Sequence, residues 1–411
     1  YTARDYQLEC LAYSMEKGNV LNGDDVGLGK CEYVENLVFT PNGRKRIGDI
    51  VVGDSVIGSN GKGTLVTEVH PQKEEKALYR VSFNDGFSVL VTKDHLFDVT
   101  SSRGIVGGTA YNTLSVEQML DKNLKIVKKG IGHNSNKEYS LSTYYKLNNG
   151  SNKWQIPIVK PMVFENSVDL PISPYLFGFL LGDGHFEKSG RIYAEIHKDD
   201  FDEVFAGCDY DEICGKNNTR KASFKRFKES ALSLGVNGKL SYNKFIPDIY
   251  KYASIDERCE LIRGLMDSDG YASKDGGASF CTSSKRLLDD FSEVVHSLGG
   301  IVRNSKGSYK KYTHNGIKMI SKHLSYRSSV RLPNNLNPFK IDRKANLYKP
   351  NLKYKVCRYI KDISFEKYGD SVCISVEADD SLYATEHGIV THNTFEAILY
   401  AETSNSFPCL V

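Results

Sequence analysis

Cys31, His392, Asn393 and Thr394 are four residues whose chemical types, taken together, could break and remake peptide bonds. A thiol at residue 31 can attack the carbonyl of the peptide bond before it and convert the Lys30–Cys31 amide into a thioester. Asn393 can attack its own backbone carbonyl through its side-chain amide, closing a succinimide and cleaving the Asn393–Thr394 bond, with His392 placed to donate a proton. The Thr394 hydroxyl, beyond that bond, can take the acyl group from the thioester and carry it as a branched ester. Each piece is common by itself, and their location gives them meaning. Asp24-Asp25-Val26-Gly27-Leu28-Gly29-Lys30 is the front of a phosphate-binding loop, but the hydroxyl residue that should follow the lysine arrives only at Thr394. In such a loop the lysine reaches the β/γ-phosphates and the next hydroxyl binds magnesium, so the two must be chain neighbours. Residues 31–393 therefore interrupt the loop, and the ends of the interruption carry the groups needed to excise it and join Lys30 to Thr394.

Short strands must position these groups. Cys31–Arg44 and Ile50–Gly58 alternate apolar residues around glycine and Asn-Gly turns. Tyr79–His95 reads as a hairpin turning at Asn84-Asp85-Gly86, with Thr92 and His95 at the end of its second strand. Ser371–Glu377 and Ser381–Asn393 alternate in the same way.

A different pattern lies between these stretches. Pro174-Tyr-Leu-Phe-Gly-Phe-Leu-Leu-Gly-Asp-Gly184 is matched by Glu260-Leu-Ile-Arg-Gly-Leu-Met-Asp-Ser-Asp-Gly270, a spaced internal repeat. Each copy reads as an apolar helix with small residues at contact spacing, Gly178 and Gly182 in one, Gly264 and Ser268 in the other. Close helix packing would set Asp183 and Asp269 at adjoining helix ends. Arg191–His197 and Gly277–Ser283 follow at equal offsets and read as strands, which predicts a pseudo-twofold unit. Two carboxylates about a twofold suit a double-strand cut, since each can hold a magnesium ion that activates water and stabilises the leaving oxygen. Lys216–Lys228 and Arg303–Arg331 are basic and interleaved with aromatics, as phosphate contacts require, although a charged run is more often simply a solvated face.

With these motifs in view, the outer stretches resemble the splicing blocks of an intein of the Hint fold, and the repeat resembles a LAGLIDADG homing endonuclease. The rejoined loop resembles motif I of Swi/Snf-type helicase-like ATPases, with Asp24 where the general pattern has its first glycine. The resemblance implies an all-β Hint horseshoe with an inserted α/β pseudo-twofold LAGLIDADG domain. Its implied layout is 1–30 as N-terminal host flank, 31–130 as the first splicing half, and 131–171 as a connecting region. The endonuclease follows at 172–335, a linker at 336–351, the second splicing half at 352–393, and the C-terminal host flank at 394–411. It further implies that His95 delivers a proton to the scissile nitrogen and Thr92 stabilises the oxyanion. Cys373 stands where many relatives carry an Asp that couples the two junctions, and Asp380 where they often have a His. In the repeat, the last acidic position (Asp183, Asp269) is the functional, metal-binding one, whereas the earlier position is Leu181 in one copy and Asp267 in the other. Lys244, in Asn243-Lys-Phe-Ile-Pro247, matches the block that supplies an active-site lysine, and Arg331 sits near the equivalent offset in the second half. Splicing would need no cofactor and DNA cleavage would need magnesium. The implied partner is double-stranded DNA, namely the host allele without the insert.

Composition limits the alternatives. A chain of 411 residues that is 40% hydrophobic can bury several cores. No apolar run approaches the roughly 20 residues that span a bilayer, and Tyr1–Tyr6 shows no signal-peptide core. The expectation is a soluble, intracellular (cytoplasmic) monomer with no membrane partner. Nine cysteines lie apart without a Cys-x-x-Cys pair, so neither a disulfide framework nor a structural zinc is expected. Two other readings remain. In one, splicing is retained but the central unit is a catalytically decayed DNA-binding module. In the other, the chain is a nucleotide-binding helicase fragment, against which stand flanks too short to fold an ATPase domain.

Overall fold

The computed structural model describes residues 31–72, 74–100, 112–121, 125–129, 136–140, 154–165, 168–213, 218–314, 317–333, 336–350 and 356–392. The phosphate-loop fragments, Asn393 and Thr394 lie outside the described residues. Strands β1 (Glu32–Tyr33), β2 (Leu37–Thr40), β3 (Gly43–Arg46), β4 (Ser55–Ile57), β5 (Gly63–Pro71), β6 (Lys76–Phe83), β7 (Ser88–Thr92), β8 (Leu96–Val99) and β9 (Asn112–Ser115) come first. Helix α1 (Val116–Leu120), β10 (Lys125–Lys129), β11 (Asn136–Ser140) and β12 (Trp154–Ile156) follow. The central unit holds α2 (Pro174–Asp183), β13 (Gly184–Phe186), β14 (Ile192–His197), α3 (Lys198–Val204), β15 (Asp211–Ile213), β16 (Thr219–Ser223), α4 (Lys228–Ser233) and α5 (Asp248–Lys251). It continues with α6 (Ile255–Asp269), β17 (Gly270–Ala272), β18 (Ala278–Thr282), α7 (Lys285–Ser297), β19 (Ile301–Asn304), β20 (Ser308–His314), β21 (Ile317–Arg331) and α8 (Asp342–Ala345). The chain then returns through β22 (Arg358–Gly369), β23 (Ser371–Val376), β24 (Leu382–Ala384) and β25 (Val390–His392).

The outer segments build one eight-stranded sheet, in the order β12-β22-β6-β7-β1-β23-β5-β4, with every neighbouring pair antiparallel. The β6–β7 hairpin turns where its Asn-Asp-Gly signal predicts, with Gly86 in the left-handed region at φ +96°. β1 is short, yet it lies between β7 from the first half and β23 from the second. That insertion brings the start of the interrupting segment against its end. The β24–β25 hairpin pairs Leu382 with His392 and Tyr383 with Thr391, which places the last described residue beside the same sheet.

In the central unit α2 and α6 cross at their small residues. A Cβ on Gly178 would lie 2.2 Å from the Leu261 carbonyl oxygen, and one on Gly264 only 2.0 Å from that of Tyr175. Backbone therefore rests on backbone, as the small-residue spacing predicts. Each helix runs directly into a strand, α2 into β13 at Gly184 and α6 into β17 at Gly270. The two sheets, β13-β14-β16-β15 and β17-β18-β21-β19 with β20 also on β21, make the paired halves.

Two segments expected as linkers carry buried apolar side chains in their described parts. In the connecting region 131–171, β12 pairs with β22, and Val159, Met162 and Phe164 join a buried cluster with Phe39, Tyr252, Leu382 and Val390. In 336–351, Phe339, Ile341 and Tyr348 pack into the core of the central unit. Neither segment shows a period, but apolar side chains within each find cover, and burial of this kind stabilises by about 1.5–3 kcal/mol per large side chain. The joint between the units is polar as well. Buried Arg258 donates to the carbonyl oxygens of Ala253 and Met162 and to the Ser297 hydroxyl, and Arg44 pairs with Glu293 at 2.9 Å.

Candidate functional site

Sheet register assembles the first centre. In antiparallel strands, directly opposed residues share a face. Glu32 lies opposite Val91 and Val372, so Cys31 falls beside Thr92 on one side and Cys373 on the other. The backbone nitrogen of Cys31, which is the nitrogen of the Lys30–Cys31 bond, donates to Thr92 Oγ1 at 3.2 Å. Thr92 in turn donates to the Cys31 carbonyl through its hydroxyl at 3.2 Å and its amide at 2.9 Å. His95 lies just beyond β7 rather than within it, in the tight turn to β8, where its amide donates to the Thr92 carbonyl at 3.2 Å. Its ring is fully buried, packs edge-on against Phe97, and hydrogen-bonds through Nε2 with the Thr391 hydroxyl. Thr391 immediately precedes His392. Cys31, Thr92, His95 and Cys373 are thus brought together, with half-buried His392 on the adjoining hairpin.

Cys31 and Cys373 form a disulfide, with Cα atoms 4.4 Å apart, contrary to the expectation that the cysteines would stay separate. The two are remote in sequence and only the sheet makes them neighbours, which spacing along the chain cannot show. Asp380 is not at this centre. Its carboxylate accepts from Ser59 Oγ and from the Leu382 amide, bracing the turn into β24.

The second centre lies at the C-terminal ends of α2 and α6. Burial is the main cause that raises the carboxyl of Asp183. Burial, reinforced by the charge of Asp183, pushes Asp269 up to about 6. Two carboxylates that resist ionising together form an all-oxygen site suited to a hard divalent cation such as magnesium. Among the described residues no cluster of three or more Asp, Glu, His or Cys side chains could hold a metal ion. Water and substrate phosphate would complete the ligand set, as is usual for magnesium.

A lysine closes each helix end. Lys244 Nζ donates to the carbonyls of Gly182 and Gly184, both at 2.8 Å, and burial lowers its pKa to about 8. The same cap on α6 comes from Lys344, whose Nζ donates to the carbonyls of Asp267 at 2.5 Å and Gly270 at 2.9 Å. Lysines there satisfy terminal carbonyls and oppose the negative end of the helix dipole. Lys344, not Arg331, is therefore the mate of Lys244. Arg331 ends β21 opposite Ile301, and the long β20–β21 hairpin displaces the equivalent lysine further along the chain than equal offsets suggest. Asp267 is structural, since its carboxylate accepts from the Tyr175 hydroxyl at 2.9 Å and from the amides of Lys340 and Ile341.

The two basic stretches also differ. Arg220, Lys225 and Arg226 pair with Asp202, Asp211 and Asp209. On the β20–β21 hairpin Lys310 acts through its charge on Asp269, while Lys311, Lys318 and Lys322 form no ion pair among the described residues.

Known proteins resemble parts of the chain. Residues 256–332 match the LAGLIDADG-like domain family. Across 384 residues the chain is 24% identical to the replicative DNA helicase DnaB of Mycobacterium intracellulare, covering 90% of this chain but only 59% of that relative's length. Residues 1–30 and 394–411 are too few to supply such an alignment, so most of it falls on the interrupting segment. Partial structural likenesses include the gp41-1 intein (23% identity, 27% of this chain and 75% of that one, TM-score 0.19). Mesophilic variants of the homing endonuclease I-DmoI are similar in part too (17% identity, 39% of this chain and 89% of that one, TM-score 0.25). The interrupted loop and the register that delivers Cys31 to Thr92 define one centre, and the paired helix ends, in a unit whose residues 256–332 match the LAGLIDADG-like domain family, define the other.

Proposed function

We propose that the chain excises residues 31–393 and joins Lys30 to Thr394, and that its central unit makes a magnesium-dependent double-strand cut in the host gene that lacks the insert. The observation that carries the splicing route is the hydrogen bond from the Cys31 nitrogen to Thr92. It places a hydroxyl at the amide whose cleavage begins the sequence, with His95 one turn away to supply the proton. The Cys31 thiol adds to the Lys30 carbonyl, the amide nitrogen takes a proton, and a thioester results. Thr394 then accepts the acyl group, Asn393 cyclises with His392 assisting, and an ester-to-amide shift leaves a normal peptide bond. Because Cys31 is bonded to Cys373, the thiol must first be released by a reductant.

For the nuclease, Asp183 and Asp269 would hold magnesium, which supplies charge stabilisation and an activated water at the scissile phosphate. Lys244 and Lys344 hold the two helix ends beside those carboxylates, and the β20–β21 hairpin supplies phosphate contacts. The host reading is a helicase-type ATPase whose phosphate loop is restored by splicing. The chain is read as an intracellular monomer, and no described helix is long and apolar enough to cross a membrane. The nuclease test is incubation with magnesium and duplex DNA encoding the uninterrupted loop. Linear products are expected, and intact DNA at every salt concentration would refute cleavage.

A further inference from the structure

One buried group in the splicing fold is used by none of the steps above. Glu32 directly follows the nucleophile, and strand alternation turns its side chain to the face opposite Cys31. There it shares a layer with Val372, among Val38, Ile47, Val56, Val66 and Ile374. A fully buried carboxylate in an apolar layer is costly unless it is paired. Glu32 has two partners. Asn36 Nδ2 donates to Oε2 at 2.9 Å, and the Tyr383 hydroxyl donates to Oε1 at 2.7 Å. Asn36 also donates to the Leu90 carbonyl at 2.8 Å, which ties this end of the pair to β7.

Tyr383 gives the arrangement direction. It lies on β24, directly opposite Thr391 on β25, and Thr391 hydrogen-bonds with His95. A closed circuit results, in which Cys31 and Glu32 are chain neighbours, Glu32 holds Tyr383, Tyr383 faces Thr391, Thr391 holds His95, and the His95 amide reaches Thr92 beside Cys31. Beside the backbone bridges of Tyr383 to Gly58 and of Thr385 to Val38, side chains therefore fasten the C-terminal hairpin near the N-terminal junction through Glu32 and through His95, and of these only His95 has a chemical role in the steps above.

We propose that Glu32 and Tyr383 are positioning residues for splicing, whose hydrogen bond holds the hairpin bearing His392 against β1 so that Thr394 reaches the Cys31 thioester. The inference rests on the splicing reading above. Thioester formation needs only the Cys31 end, and Asn393 cyclisation needs only the hairpin. Acyl transfer to Thr394 alone requires both ends at bonding distance, so it depends most steeply on this fastening. Loosening it should separate the steps rather than slow them all.

The test uses the full chain under reducing conditions, with mass spectrometry counting ligated flanks, thiol-released N-terminal fragment and prematurely cleaved C-terminal fragment. Tyr383→Phe and Glu32→Leu should lower the ratio of ligated to singly cleaved product by about tenfold, the effect of losing one hydrogen bond to a charged or buried partner. Glu32→Gln can still accept from Asn36 and donate to the Tyr383 oxygen, so it should recover most of that ratio. A product ratio in Tyr383→Phe equal to the parent's, whether or not its melting temperature falls, would overturn the proposal and leave the pair structural. Failure of the parent chain itself to ligate would overturn the splicing reading and this inference with it.

Discussion

The junction centre and the helix-end centre solve the same problem, placing reactive groups from distant sequence side by side, with different geometry. At the junction every group is unique. Cys31, Thr92 and Cys373 meet because three strands are in register, and a slip of one residue would turn each to the opposite face. At the helix ends every group has a mate: Asp183 with Asp269, Lys244 with Lys344, Gly178 with Gly264. On the proposed function the first centre would act once, on its own backbone, so asymmetry costs nothing, whereas a duplex would offer two strands to cut and duplication would serve that task.

The largest expected contrast comes from Cys31→Ala. It removes the nucleophile, so ligation should fall to zero by mass spectrometry while DNA cleavage persists. Asn393→Ala should block C-terminal cleavage yet leave a thiol-releasable N-terminal flank. In the other direction, Asp269→Asn should reduce DNA cleavage by about 100-fold or more, since metal binding supplies several kcal/mol of charge stabilisation, and leave splicing yield unchanged. Joint loss in either variant would mean that the centres are not separate.

Gly264→Ala tests where they meet. The added methyl would lie 2.0 Å from the Tyr175 carbonyl oxygen, so α2 and α6 must part, at a cost of about 1–3 kcal/mol. DNA cleavage should drop with the loss of helix-end geometry. Splicing should slow less, through the shared cluster of Phe164, Tyr252, Leu382 and Val390. Unchanged melting and cleavage would contradict the crossing described here.

The smallest effect is a pH slope. Burial raises Glu32 to about 7 from an ordinary 4.5, with Tyr383 on β24, Asn36 beside β1 and the charge of Glu386 as the facing groups. The folded state therefore holds the proton more tightly. Its contribution to stability is fully present below pH 4.5 and is lost as pH rises through 7. In a Cys31→Ala background, which keeps the chain whole, Glu32→Gln should flatten the fall in Tm across that window by a few degrees.

Much of this was legible in the sequence, for identifiable reasons. The repeat at Pro174 and Glu260 announces crossed helices because only small residues permit backbone contact, and Gly178 and Gly264 make that contact. The hairpin ending at Thr92 was readable from its turn. Lys344 was not, because a hairpin insertion breaks the equal offset. The Cys31–Cys373 bond and the Glu32–Tyr383 pair depend on strand order, which no local pattern encodes. The segments 131–171 and 336–351 read as linkers because a few buried side chains within 154–165 and 336–350, not a period, hold them in place.

The most direct measurement is the intact mass of the full chain before and after addition of a thiol reductant. A single precursor is expected when oxidised, then two species on reduction: excised residues 31–393, and residues 1–30 joined to 394–411 by a normal peptide bond. A precursor that keeps its full mass under reductant, or that yields only unjoined fragments, would contradict that expectation.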